Sequence, residues 1–248
     1  MKRFAVFVLT LFLSSFLYGA SVLTVIQTAD QLYMQRDIAE KLEQSFELIN
    51  SVLSDDLPTA TRYELLWRYS RAASQVPDYL DDSKKAKLKF LAKGIQAAED
   101  AIKLNNKKIE GYYWLGINIG RQAELMGIMK SLKSVKPIRK NMLKIIDINP
   151  NFHRAYFVLS RLYRKAPKAI SIGNPKKSLE YINKALYLDP NDSMYLLEKA
   201  YVLKKLKKKQ EAKELANKLI NLPIQKKYFK DQVLRDKQKA KALLKKLN

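Results

Sequence analysis

The chain has 248 residues, of which 47% are hydrophobic and none is cysteine, and its formal net charge is +23. The missing cysteines exclude disulfides, thiolate metal sites and a lipid anchor attached through cysteine. Seven glycines, eight prolines and no alternating apolar stretch after residue 27 leave little for a sheet to use, so an all-α fold is expected.

Residues 1–20 read as a secretory signal. Lys2 and Arg3 give a positive start, Phe4 to Leu17 an apolar run, and Gly19 and Ala20 a small-residue exit. Tyr18 stands where the exit prefers a small residue, and the apolar character continues through Val22, Leu23, Val25 and Ile26. Phe4 to Ile26 is long enough to span a bilayer uncut, so a signal anchor reaching about residue 26 is the alternative. Both readings make the protein exported, periplasmic or in the cell envelope, and membrane-anchored if the signal is retained. A helical body over 28–222 and a basic capping helix over 223–248 complete the expected organisation.

Between Ala29 and Leu53, Leu32, Ala39, Leu42, Phe46 and Ile49 recur at steps of three, four and seven, which fits an amphipathic helix or a pair broken near Asp37. Asp55 to Thr59 is a turn from which Pro58 opens the next helix, with Thr59 or Thr61 as its cap. Tyr63 to Gln75 follows, with Ser70 at a small-residue place and Trp67 expected to fill a seam between helices. Val76 to Ser83 is the expected mobile connection. The next helix, Lys84 to Leu104, has a narrow stripe of Ala86, Phe90, Gly94, Ala97, Ala98 and Ala101. Gly94 costs that helix about 1 kcal/mol relative to Ala, which implies that another helix crosses there.

In KKSLEYINKALYLDPND, Ser178, Ile182, Ala185 and Pro190 have the spacing of the second helix of a packed pair. Small residues admit close backbone approach, and Pro190 stops the helix before Asn191 or Asp192 caps the next one. The terminator recurs 40 residues earlier at Pro150 and 44 before that at Asn106. Each is followed by an aromatic, a leucine and a small residue: Tyr112, Leu115 and Gly116, then Tyr156, Leu159 and Ser160. After Pro190 those places hold Leu196, Lys199 and Ala200, and Ala212 restores the small position in the helix beyond. These segments resemble tetratricopeptide repeats. The resemblance implies a helical-hairpin solenoid, a right-handed superhelix, whose repeats carry insertions because the standard repeat is about 34 residues.

Gly111 to Pro150 keeps the first-helix signature but runs past its usual end, so the second helix of that repeat is expected from about Pro137. Together with the loop APKAISIGNP, this segment resembles the tetratricopeptide proteins associated with tripartite (TRAP) transporters, the T-component group. It is similar, more distantly, to the regulator of microtubule dynamics family. The resemblance covers roughly Ala29 to Ala216. The first likeness implies a helper of an organic-acid uptake system with a solute-binding protein as partner, although such helpers are typically lipoproteins and this chain has no cysteine.

No catalytic constellation is visible. His153 is the single histidine and opens a helix, where capping or plain exposure is expected. The glycines of GYYWLGINIG lack the Lys-Ser/Thr of a phosphate loop, and Asp55-Asp56 and Asp81-Asp82 sit in turns. A non-enzyme without cofactor or metal is expected.

Charge is uneven. Residues 21–110 hold 13 basic and 14 acidic residues, 111–198 hold 15 and 6, and 199–248 hold 17 and 4, which points to an anionic partner for the C-terminal half. The resemblance implies that first-helix places 2, 5, 9, 12 and 13 line a concave groove. The candidate binding residues on those places are Trp67 and Arg71; Tyr113 and Arg121; Arg154, Phe157, Arg161, Arg164 and Lys165; and Tyr201, Lys204 and Lys205. The groove is expected to turn basic and aromatic toward its C-terminal end, which suits a protein partner, an acidic peptide or an organic anion. No acid lies between Arg154 and Lys168, so a ligand would offset their repulsion; a solvated lysine-rich face is the alternative. The basic amphipathic stretches 204–220 and 230–248 either cap the solenoid or lie on an anionic membrane surface. Nucleic acid is not expected, and self-association stays open.

Overall fold

A computed structural model describes residues 22–78 and 83–247. The signal over residues 1–20, and residues 79–82 of the expected mobile connection, lie outside the described residues. Among the described residues every regular element is helical, and the chain divides into two compact units between Leu125 and Met126.

The first unit opens with α1 over 22–34 and α2, Ala39–Val52, so the broken pair is the arrangement adopted, with its turn at 35–38. Val22, Ile26, Ala29 and Tyr33 follow one face of α1 at helical spacing and pack in one cluster with Leu42, Phe46 and Ile49 of α2. The end of the apolar run therefore belongs to the core, and residue 28, the expected start of the helical body, lies inside α1. Next come α3, Thr59–Gln75, a 3-10 turn at Val76–Asp78, α4, Lys84–Leu104, and α5, Glu110–Met126. Pro58 is the N-cap of α3 without a side-chain bond, and Thr59 and Thr61 lie within the helix rather than capping it. Ser83 caps α4 by accepting from the Ala86 amide.

Buried serines lie at contacts between helices. Ser45 Oγ donates to the Ala29 carbonyl at 2.8 Å, Ser70 Oγ to the Gly94 carbonyl at 2.7 Å and Ser178 Oγ to the Ser160 carbonyl at 2.8 Å. A serine is small enough for the crossing, and the carbonyl satisfies a hydroxyl that burial would otherwise leave unpaired. Gly94 is crossed as expected. A Cβ there would stand 2.5 Å from Asn118 Oδ1, and the Asn118 amide donates to the carbonyls of Ser70 and Trp114.

The first whole helix of the second unit is α6, Ile128–Ile148. The second helix of this repeat does not wait for Pro137. Gly127 takes φ 84°, a left-handed conformation open to glycine, and α6 starts at the following residue and runs through Pro137. The proline forgoes one amide bond inside the helix, and the insertion is taken up in a 21-residue α6. Then follow α7, His153–Lys165; α8, Pro175–Leu188; α9, Ser193–Lys205; α10, Lys209–Asn221; and α11, Lys230–Lys245. Asn174 caps α8 through the Lys177 amide, with Pro175 at the first helical place. Ser178, Ile182 and Ala185 are fully buried, and α8 ends ahead of Pro190. Asp192 caps α9 by accepting from the Met194 and Tyr195 amides. The pairs α7/α8 and α9/α10 pack as hairpins, and α11 lies against α9 and α10.

The repeat signature leaves a shared bond. The Tyr112 hydroxyl donates to the Asn106 carbonyl at 3.3 Å and the Tyr156 hydroxyl to the Pro150 carbonyl at 2.9 Å. In each case the aromatic at the fourth first-helix place reaches back to the terminator before its own helix.

Candidate functional site

The candidate residues of the first unit sit on α3 and α5. Arg71 is nearly buried, and its guanidinium lies 3.9 Å from the Tyr33 ring centre and donates to Asp30 Oδ1 at 2.5 Å. Arg68 closes on the same carboxylate through Nε, at 3.1 and 3.0 Å, and lies 4.1 Å over the Trp67 ring. Trp67 Nε1 donates to Glu64 at 2.8 Å, and Glu64 also accepts from Lys108 at 2.7 Å. Burial pushes the Asp30 carboxyl up, but its bonds to Arg68 and Arg71 outweigh this and hold it below its ordinary value. Burial likewise pulls the Arg71 pKa down. Arg71 and Trp67 are thus bound into a network that ties α3 to α1. Tyr113 is half-buried with its ring edge-on to Trp114, and Arg121 is paired with Asp78.

In the second unit the candidates come from α7 and α9. Arg164 grips Glu198 of α9 with two bonds, Nε to Oε1 at 2.7 Å and NH2 to Oε2 at 2.8 Å, and lies 5.1 Å over the Tyr201 ring. Lys205 donates to the Arg164 carbonyl at 2.5 Å. Phe157 stacks at a tilt on Tyr195, centroids 5.0 Å apart, with the Arg161 guanidinium 5.7 Å from the Phe157 ring centre. Arg154, Lys165, Lys204 and Lys205 are exposed. The structure therefore brings the α7 and α9 candidates onto adjoining helices and spends Arg164 on an internal carboxylate.

Glu198 and Tyr195 are residues that sequence reasoning missed, and His153 takes neither of its expected roles. His153 neither caps α7, whose N-cap is Phe152, nor stands fully exposed: its Nδ1 is 2.6 Å from the Tyr195 hydroxyl. Burial, reinforced by Arg154, pulls the His153 pKa below its ordinary value. Glu198 is the one acid within α9, which was a signal available in the sequence, but its partner lies 34 residues away. Among the described residues no group of His, Cys, Asp or Glu is arranged to hold a metal ion, and no helix is long and apolar enough to cross a membrane.

The family model of Regulator of microtubule dynamics protein 1-3 matches residues 25–248. Regulator of microtubule dynamics protein 3 of Bos taurus is 27% identical over 220 residues, covering 82% of this chain and 45% of that protein. Regulator of microtubule dynamics protein 1 of Pongo abelii is 25% identical over 217 residues, covering 77% and 69%. The chain spans less than half the length of the protein 3 relatives, 28% of the one from Rattus norvegicus. Among solved structures, a thermophilic TPR protein of Thermus thermophilus aligns with a TM-score of 0.66 at 12% identity, covering 90% of this chain and 98% of that one. A mutant of MamA aligns with a TM-score of 0.51 at 14% identity, covering 85% and 99%. At such identities these two show the fold alone, and the fold is that of helical-hairpin tetratricopeptide proteins. The family match falls on the second of the two resemblances read from the sequence, and none of these proteins is described as a transporter component.

Proposed function

Because the chain belongs to the Regulator of microtubule dynamics protein 1-3 family, we propose that it is a non-catalytic interaction module whose α7–α9 face binds an acidic segment of a partner protein. The observation that carries this reading is the make-up of two packed helices: Arg154 and Lys165 of α7 and Lys204 and Lys205 of α9 are exposed, and the Arg161 and Arg164 guanidiniums lie 5.7 and 5.1 Å from the ring centres of half-buried Phe157 and Tyr201. Rigid aromatic area flanked by cations suits an extended acidic peptide. The relatives are described as regulators of microtubule dynamics, and that activity belongs to proteins of which this chain covers only a part. What we carry over is partner binding.

The test is binding of a fluorescently labelled poly-glutamate peptide to the full chain. The double variant Arg154→Gln, Lys204→Gln keeps the Arg164–Glu198 pair and is expected to weaken binding about tenfold, corresponding to roughly 1.4 kcal/mol, and to flatten its salt dependence. Unchanged affinity and salt dependence would return these residues to a solvated surface.

Export is part of the same proposal. A cut after Ala20 leaves Ser21 as the first residue and keeps Val22 and all the other core residues among those described. Amino-terminal sequencing that found Lys2 retained on protein in the membrane pellet would replace cleavage with a signal anchor. The transporter-helper role has the sequence resemblance alone behind it.

A further inference from the structure

The C-terminal segment departs from the repeat pattern. After α10 the chain runs from Leu222 to Phe229 without helix, and α11 then lies on α9 and α10. A narrow apolar stripe holds it: Ala240 packs with Leu196 and Leu219, and Leu243 and Leu247 pack with Leu203 and Ala212. Two polar ties add to this. Asp189, at the end of α8, accepts from the Tyr228 hydroxyl at 2.5 Å and the Lys227 ammonium at 2.9 Å. Asp236 of α11 accepts from Ser193 of α9 at 2.8 Å and from Gln232 at 2.9 Å.

Charge works against these contacts. Each of the three packed helices is net positive: α11 carries six Lys and Arg against two acids, α9 three against one, and α10 three against two. The acid of α9, Glu198, is already matched by Arg164. Asp236 is 2% exposed, and its hydrogen-bond donors are a hydroxyl and an amide rather than a cation. We propose that α11 is a detachable strap, docking reversibly on α9 and α10 under the control of charge, so that screening or neutralising the charge closes it.

Burial raises the Asp236 carboxyl above its ordinary range, which makes mild acid a second closing condition. The groups facing it are Gln232, Arg235 and Lys239 of its own helix, and Ser193 and the Tyr201 phenol of α9. From α10 the contacts are apolar, through Ala212, Ala216 and Leu219. Asp189 behaves oppositely: burial pushes it up, but its bonds to Tyr228 and Lys227 hold it low, so strong acid releases that tie.

Amide hydrogen exchange of the full chain, read by mass spectrometry and corrected for intrinsic rates, tests the proposal. At low salt α11 should exchange faster than α9 and α10, and raising salt from about 0.05 to 0.5 M should slow it roughly threefold or more while leaving the α3–α4 hairpin unchanged. Asp236→Asn should slow α11 at neutral pH and remove its response to mild acid; Asp189→Asn should speed it. Exchange of α11 in step with α9 and α10 under every condition would make it a fixed part of the fold and overturn the proposal. So would faster exchange in Asp236→Asn.

Discussion

Arg164 and Glu198 form a two-bond ion pair across α7 and α9, with the Glu198 side chain 4% and the Arg164 side chain 18% exposed. The pair answers the charge problem posed by the acid-free stretch Arg154 to Lys168 at one of its positions, by bringing in a carboxylate from the next repeat. Arg164→Gln leaves Glu198 buried beside a neutral partner and is expected to lower stability by about 3 kcal/mol. Replacing both residues with Gln should cost less than the sum of the single changes. Urea unfolding of the four proteins measures the coupling, and strictly additive losses would mean that the pair is energetically idle.

Arg71 makes the same point in the first unit. Its guanidinium is committed to Asp30 and to the Tyr33 ring, so Arg71→Gln should unfold at lower urea, losing about 2 kcal/mol or more. Its affinity for an acidic peptide should stay that of the unaltered chain while it is folded. Weakened binding with unchanged stability would restore Arg71 to the ligand-binding residues.

Gly94 and Asn118 are matched in shape. Gly94→Ala removes a helix penalty of about 1 kcal/mol, but the new methyl meets the Asn118 side chain at 2.5 Å. Asn118 is fully buried and its amide is tied to two helices, so it has little room to give. The net expectation is a loss of about 1 to 3 kcal/mol, by overpacking. Combining Gly94→Ala with Asn118→Ala should return part of it, and thermal melts of the single and double variants decide.

The cap of α9 predicts a pH dependence. Burial, with a smaller push from Asp189, raises the Asp192 carboxyl from 3.8 to about 6, against the pull of the two amides it caps. Its folded value is thus above its unfolded one. Between those values the unfolded chain gives up the proton first, so the contribution of Asp192 falls as pH rises from about 4 to 6 and is level above and below. Asp192→Asn should lack this slope, so the stability of the unaltered chain minus that of the variant should fall as pH rises across the same window. A difference that rises with pH across that window would show that the cap bonds outweigh burial.

The helices, their pairing and their crossings follow from local pattern. Ser70, Gly94, Ser178 and Ala185 were readable as close-approach places because a crossing tolerates few side chains, whatever lies on the other side. The break near Asp37 and the Asp192 cap were equally local. Pro137 misled because a proline usually opens or ends a helix, whereas the left-handed turn at Gly127 had already restarted the chain and the packed α6 could carry one missing amide bond. Register puts the candidate binding residues on α3, α5, α7 and α9, but which of their cations are exposed was not in the register. Asp30 stands 41 residues before Arg71 and Glu198 stands 34 after Arg164. Sequence alone therefore determined the helical hairpins and the excess of positive charge. Only the tertiary structure decided which of those charges is spent inside the fold, because an ion pair depends on a separation of a few ångströms that repeat packing creates and chain distance does not record.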